Sequence, residues 1–143
     1  MIASTHQTLL EDVPDFARDS FSYRLHWLVS NIPISPLQTQ AIGTGAKPSD
    51  TIVEWLPPHV QRGSPYHRYA VIVFKQSDKI DAEALKGKIR RPGFNTRSFQ
   101  DLNKLKAIGA HLFRGEWDEH TAQVMQRHRL EGWDRMLVRT KDV

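Results

Sequence analysis

Tyr23-Arg24-Leu25-His26-Trp27-Leu28-Val29-Ser30-Asn31-Ile32 is the stretch that decides the fold class. Leu25, Trp27 and Val29 recur at a period of two, among aromatic and β-branched residues, which predicts a strand. Pro33 brings no N–H to a ladder and closes it. Working outward, Ser35 to Ser49 holds Pro36, Gly43, Gly45 and Pro48 with no period, so a surface loop is expected there. Trp55-Leu56-Pro57-Pro58 is an apolar kink, and Gly63-Ser64-Pro65 a turn. Tyr69-Ala70-Val71-Ile72-Val73-Phe74 is a near-continuous apolar run, as in a strand buried on both faces.

Further along, Asp81 is placed to cap a helix over 82–86 that Gly87 ends. Ser98 with Asp101 resembles a capping box opening a helix to about Ala107. Gly109 to Arg114 reads as a strand. Asp118 can cap a helix reaching Arg129, with Ala122, Met125 and Arg129 on one face and Gly132 after it. Trp133 to Arg139 reads as a last short strand. Strands and helices do not alternate regularly, which argues against a doubly wound α/β fold. The expected class is mainly β with short helices, an antiparallel sheet in a single domain over 1–143.

No run approaches the roughly 20 apolar residues that a membrane-spanning helix needs. The absence of Cys excludes a disulfide framework and thiolate chemistry. Met1 to His6 is neither a secretory signal nor an Arg-rich presequence. The net charge of +4 is concentrated. Within 86–106 stand Lys86, Lys88, Arg90, Arg91, Arg97, Lys104 and Lys106 against one anion, Asp101. Such a run reads as a solvated face or as a surface facing RNA phosphates.

No phosphate-binding loop is present, and Gly43-Thr44-Gly45 does not follow a strand. Glu116 and His120 are four apart, but two ligands without a third do not make a zinc site. Ser64 lies close to His67 in sequence, yet no nucleophile elbow or oxyanion donor is evident. The reading is therefore not an enzyme, with no metal and no cofactor.

Three segments resemble the phosphatidylethanolamine-binding protein family. Asp12-Val13-Pro14, followed by His26 to Pro33, is similar to its Asp-Pro-Asp-Ala-Pro motif and the strand after it. Gly63-Ser64-Pro65-Tyr66-His67-Arg68-Tyr69, running to Gln76, is similar to its Gly-x-His-Arg-Tyr strand. Phe113 to Asp118 matches its aromatic-x-x-x-Trp-Asp element. The resemblance implies an anion pocket formed by His26, His67 and Tyr69, with Asp12 and Pro14 on the rim. Two imidazoles and a phenol can donate to phosphate oxygens. The same histidines also read as core residues kept for packing. Leu10 stands where the family motif opens with Asp, and Phe113 where the family often has Tyr, so a carboxylate and a phenol are expected to be missing.

Trp55-Leu56-Pro57-Pro58, Gly63 to Arg68 and Trp117 to His128 look like the fungal mitochondrial ribosomal branch of the family. That likeness implies a structural component of the mitochondrial large ribosomal subunit. Its partners would be rRNA and neighbouring ribosomal proteins, met through the basic residues of 86–106. The pocket would then be relict, with at most a weak anionic ligand. The location implied is mitochondrial, with the targeting segment not visible in this chain. The alternative is a free, cytoplasmic module that binds an anionic phospholipid headgroup or inhibits a protease or kinase. Relative to the family, the strands before the Asp-x-Pro motif are expected to be missing, leaving a sheet edge and some apolar surface open.

Overall fold

A computed structural model describes residues 4–15, 20–34 and 47–136. Its elements are β1 (Ser4–Asp15), β2 (Ser20–Pro33), a 3-10 turn (Pro48–Asp50), β3 (Thr51–Val53), β4 (His67–Gln76), α1 (Ala82–Leu85), α2 (Thr96–Leu102), β5 (Lys106–Gly115) and α3 (Glu119–Arg127). The five strands form one sheet in the order β3-β2-β1-β4-β5, and every neighbouring pair is antiparallel. The two strands legible from sequence are β2 and β4. They share the sheet but are not paired as neighbours, because β1 runs between them.

Residues 4–15 carry no strand pattern in the sequence, yet they form the central strand. Thr5, His6, Gln7, Thr8 and Glu11 are all buried there. Burial of polar side chains is tolerated only when they are hydrogen-bonded. His6 meets this condition: its Nδ1 lies 3.1 Å from Ser30 Oγ and its Nε2 3.0 Å from Thr8 Oγ1. The ring also packs against Phe74 and Phe99. Burial lowers the His6 pKa from 6.5 to about 3.

Both faces of the sheet carry core over β1, β2 and β4, while the edge strand β5 is exposed along most of its length and leaves Ile108 and Leu112 open, in line with the expected open apolar surface. One face carries Leu10, Leu25, Leu28, Phe74 and Ile80, packed under Leu85, Phe94 and Phe99 of the 80–105 region. The other carries Leu9 and Tyr69, covered by Val60 and flanked by Trp27 and Phe113. Leu25 and Trp27 therefore lie on opposite faces, contrary to the alternation expected from sequence. The reason is a bulge: β1 pairs Leu9 with Trp27 and Leu10 with Leu25, so His26 is the extra residue. A bulge re-aims side chains. Here it lets His26 and Trp27 face the same side.

Near the end of β2, Asn31 takes the left-handed region at φ 54, which Asn adopts more readily than most residues. Its side-chain amide donates to Asp50 Oδ1 and Ile80 O, tying β2 to the segments after it.

Asp81 and Asp118 cap α1 and α3 as expected, and Asp118 with Thr121 closes a capping box. For α2 the cap is Asn95, which accepts from Ser98 N, not Ser98 itself. That helix stops at Leu102, because Lys104 turns to φ 52 and β5 begins at Lys106. Helix α3 buries Thr121 and Met125, while Arg129 lies beyond its end at φ 54. Trp133 and Asp134 lie in a turn, not a strand; 137–139 fall outside the described residues. So do 35–46 of the expected loop, which the 3-10 turn follows. No helix among the described residues is long and apolar enough to cross a membrane.

Candidate functional site

The sheet register assembles a cluster around Glu11. On β1, Glu11 pairs with Arg24 of β2 on one side and Tyr69 of β4 on the other. His67 lies two residues before Tyr69 and so shares its face. The bulge brings His26 to the same point. Glu11 Oε2 is 2.6 Å from His26 Nε2. Glu11 Oε1 accepts from His67 Nδ1 and, at 3.1 Å, from the Tyr69 hydroxyl. The Arg24 guanidinium stands 3.7 Å from Oε2.

These contacts set the electrostatics of the cluster. His26 Nδ1 faces Leu56 O at 2.8 Å and its Nε2 faces the Glu11 carboxylate, so both nitrogens face acceptors. Burial pushes the Glu11 carboxyl up, but hydrogen bonds from His26 and His67, with the charges of His26 and Arg24, outweigh it and bring 4.5 down to about 2. Tyr69 is raised well above the ordinary phenol, first by burial and then by the Glu11 charge. His59 is lowered, chiefly by burial. Its Nδ1 donates to Pro57 O at 3.0 Å, and its Nε2 lies 3.4 Å from Arg24 Nη1.

Beside the cluster opens a cavity of about 630 Å³, lined by Arg24, His59, Gln61, Ser64, His67 and Arg91 among others. Of the residues expected in the pocket, His26, His67 and Tyr69 do converge, but only His67 reaches the cavity wall. Asp12 does not join them. Successive strand residues face opposite ways, and Asp12 pairs with Arg68 on the far side of β1 and β4. Pro14 pairs with Phe21 at the end of β1, and its side chain lies outside the described residues.

Where a carboxylate was expected to be missing, the buried cluster holds one, although it does not line the cavity. Leu10 faces the other core, and Glu11 supplies the carboxylate from the next position. Phe113 does lack a hydroxyl; its ring stacks on Tyr69 at 5.2 Å. Sequence reasoning missed Glu11, Arg24 and His59. Glu11 stands beside the Asp12 of the quoted motif, but only the register shows which way it points.

Of the seven cations in 86–106, Lys88, Arg90, Arg97, Lys104 and Lys106 are exposed. Lys86 is half-buried and pairs with Glu83 at 2.7 Å. Arg91 is half-buried and donates to Leu25 O, His26 O and Glu54 O at 3.2, 3.0 and 2.8 Å. Its guanidinium belongs to the fold, not to a phosphate-facing surface.

A family model for phosphatidylethanolamine-binding protein matches residues 11–130. The chain belongs to this family. It is 32% identical over 124 residues to large ribosomal subunit protein mL38 of Schizosaccharomyces pombe, covering 85% of this chain and 38% of that protein. It is 25% identical over 120 residues to the putative odorant-binding protein A5 of Drosophila melanogaster, covering 80% of this chain and 53% of that one. It is 33% identical over 94 residues to the protein MOTHER of FT and TFL1 homolog 2 of Oryza sativa subsp. japonica, covering 66% and 48%. The chain thus spans about half or less of these relatives. In fold it is similar to a carboxypeptidase Y inhibitor crystallised with its cognate proteinase, with a TM-score of 0.55 and 22% identity over 80% of this chain and 61% of that one. The mainly antiparallel β architecture with short helices agrees with that neighbour.

Proposed function

We propose that this protein is a structural component of the mitochondrial large ribosomal subunit, contacting rRNA and neighbouring ribosomal proteins, and not an enzyme in that role. The observation that carries the reading is the 32% identity to mL38 across 85% of the chain. It is supported by the exposed cations Lys88, Arg90, Arg97, Lys104 and Lys106, spread from the turn after α1 to the first residue of β5. Such a surface grips phosphates without reading bases. The test is co-sedimentation of the tagged chain with mitochondrial large subunits across a salt series. Replacing Lys88, Arg90 and Arg97 by Ala should flatten the slope of log affinity against log salt by up to about two to three, at roughly 0.7–0.9 for each phosphate no longer neutralised. Failure to co-sediment, or an unchanged slope, overturns it.

A second reading is a free module that binds an anionic headgroup, or inhibits a protease or kinase, in the cytoplasm. The observation favouring it is the intact Glu11 cluster beside a cavity lined by Arg24, His59 and His67. Calorimetry with phosphoethanolamine decides: micromolar binding abolished by His67→Ala supports this reading, and no binding removes it.

A further inference from the structure

Ser64, His67 and Glu11 form a continuous relay into the cavity. Ser64 Oγ lies 2.9 Å from His67 Nε2, and the other ring nitrogen, Nδ1, meets Glu11 Oε1. The Glu11 carboxylate accepts the Nδ1 proton, which leaves the Nε2 lone pair facing the serine hydroxyl. This is the arrangement in which a histidine serves as general base to a nucleophile. Each member is held in place. Ser64 sits in a turn closed by its own N–H donating to Gln61 O at 3.0 Å, with Gly63 before it at φ 88. His67 is fixed in β4 and nearly fully buried. Glu11 is gripped from behind by His26 and Tyr69, and it stays ionised over the whole neutral and mildly acidic range.

Ser64, His67 and Arg24 all line the cavity. A cavity of about 630 Å³ lies in the size range of small-molecule sites. Arg24 brings to it the positive charge that a developing oxyanion needs. The spacing Ser-x-x-His matches no nucleophile elbow, so the sequence alone gives Ser64 no role; the carboxylate that completes the relay comes from a strand 53 positions earlier.

We propose that Ser64 is an activated nucleophile which takes an acyl or phosphonyl group from a small activated ester or phosphonate bound in this cavity. The inference goes beyond the ribosomal reading and does not depend on it. In the acyl case the Ser64 oxygen attacks the carbonyl carbon as its proton passes to His67 Nε2. The bond from that carbon to the leaving oxygen then breaks, the proton moves from His67 to the departing alcohol, and an ester remains on Ser64. With a fluorophosphonate the bond formed is O–P, and fluoride leaves.

The test uses the whole folded chain with a fluorophosphonate probe, read by intact mass and peptide mapping. One adduct on Ser64 is expected. It should be absent in Ser64→Ala and in protein unfolded by urea. General-base assistance gives at least about a hundredfold in rate, so His67→Gln should label slower by that factor. Ser64→Ala removes a single half-buried hydroxyl, and it decides the site whatever His67→Gln does to folding. No adduct, an adduct on another residue, or labelling at the same rate in urea overturns the proposal.

Discussion

Replacing Glu11 by Gln removes one charge from the centre of the cluster while keeping its shape. The carboxylate accepts from His26, His67 and Tyr69. An amide has one accepting oxygen, and its NH2 would face an imidazole N–H. The cost follows from the linkage of protonation to folding. The folded carboxyl titrates at about 2 against 4.5, and at about 1.4 kcal/mol per pH unit the ionised, partnered state contributes about 3 kcal/mol. The folded value lies below the unfolded one, so this stabilisation is complete above pH 4.5 and fades as the pH falls towards 2. Glu11→Gln should therefore be about 3 kcal/mol less stable at neutral pH, the range for breaking a buried pair, and should converge on the parent in strong acid. His6 also destabilises the parent on acidification, but it does so in both proteins and cancels in the difference. Urea unfolding followed by tryptophan fluorescence at several pH values measures this difference. A deficit under about 1 kcal/mol at neutral pH, or one that does not shrink in acid, would refute the buried ion-pair account.

His6→Gln should flatten the stability loss between pH 6.5 and about 3, because the folded ring resists protonation in that window while the unfolded ring accepts it; an unchanged acid limb in thermal melts would count against this. Gly115→Ala would place a Cβ 2.7 Å from Tyr69 Cε2, and overpacking of this kind costs about 1–3 kcal/mol; denaturant unfolding with no loss would show that the Tyr69 ring yields freely. Arg91→Ala should lower the melting temperature, because it removes three hydrogen bonds, to the carbonyls of Leu25, His26 and Glu54. Arg90→Ala, at an exposed position, should not; equal effects of the two on calorimetric melting would refute the division of labour.

The sequence made β2 and β4 legible because period-two and continuous apolar patterns are strong signals for strands. The caps at Asp81 and Asp118 were legible for a similar reason: a single side chain satisfies orphan N–H groups locally. Strand β1 was not legible. Its buried positions are Thr5, His6, Gln7, Thr8 and Glu11, and polar residues give no periodic apolar signal. Their partners, Ser30, His26 and His67, come from other strands, so the reason for burying them is tertiary. The bulge at His26 was hidden too, since one unpaired residue changes no composition. It decides both which face His26 takes and whether the cluster forms. At α2, Asn95 and Ser98 are both good caps three residues apart, and only the path of the chain out of Pro92-Gly93 chooses between them.

The cluster and the basic surface make different demands on the molecule, which bears on how a member of this family can serve more than one role. Binding RNA phosphates requires only exposed cations, and Lys88, Arg90, Arg97, Lys104 and Lys106 stand clear of the Glu11 cluster. The cluster itself is nearly closed. His26 and Tyr69 are fully buried and committed to Glu11, and Arg91 is committed to backbone carbonyls. An anion entering the cavity would meet His67, His59 and Arg24, not the full set that the resemblance implies. Removing the carboxylate would leave a buried imidazole N–H and a buried phenol without their acceptor, so it is held by the stability of the sheet whether or not any ligand binds. Retention of His26, His67 and Tyr69 is therefore weak support for ligand binding. The side chains whose chemistry the core does not require, Ser64 and Arg24 on the cavity wall, carry the stronger indication of what the cavity does.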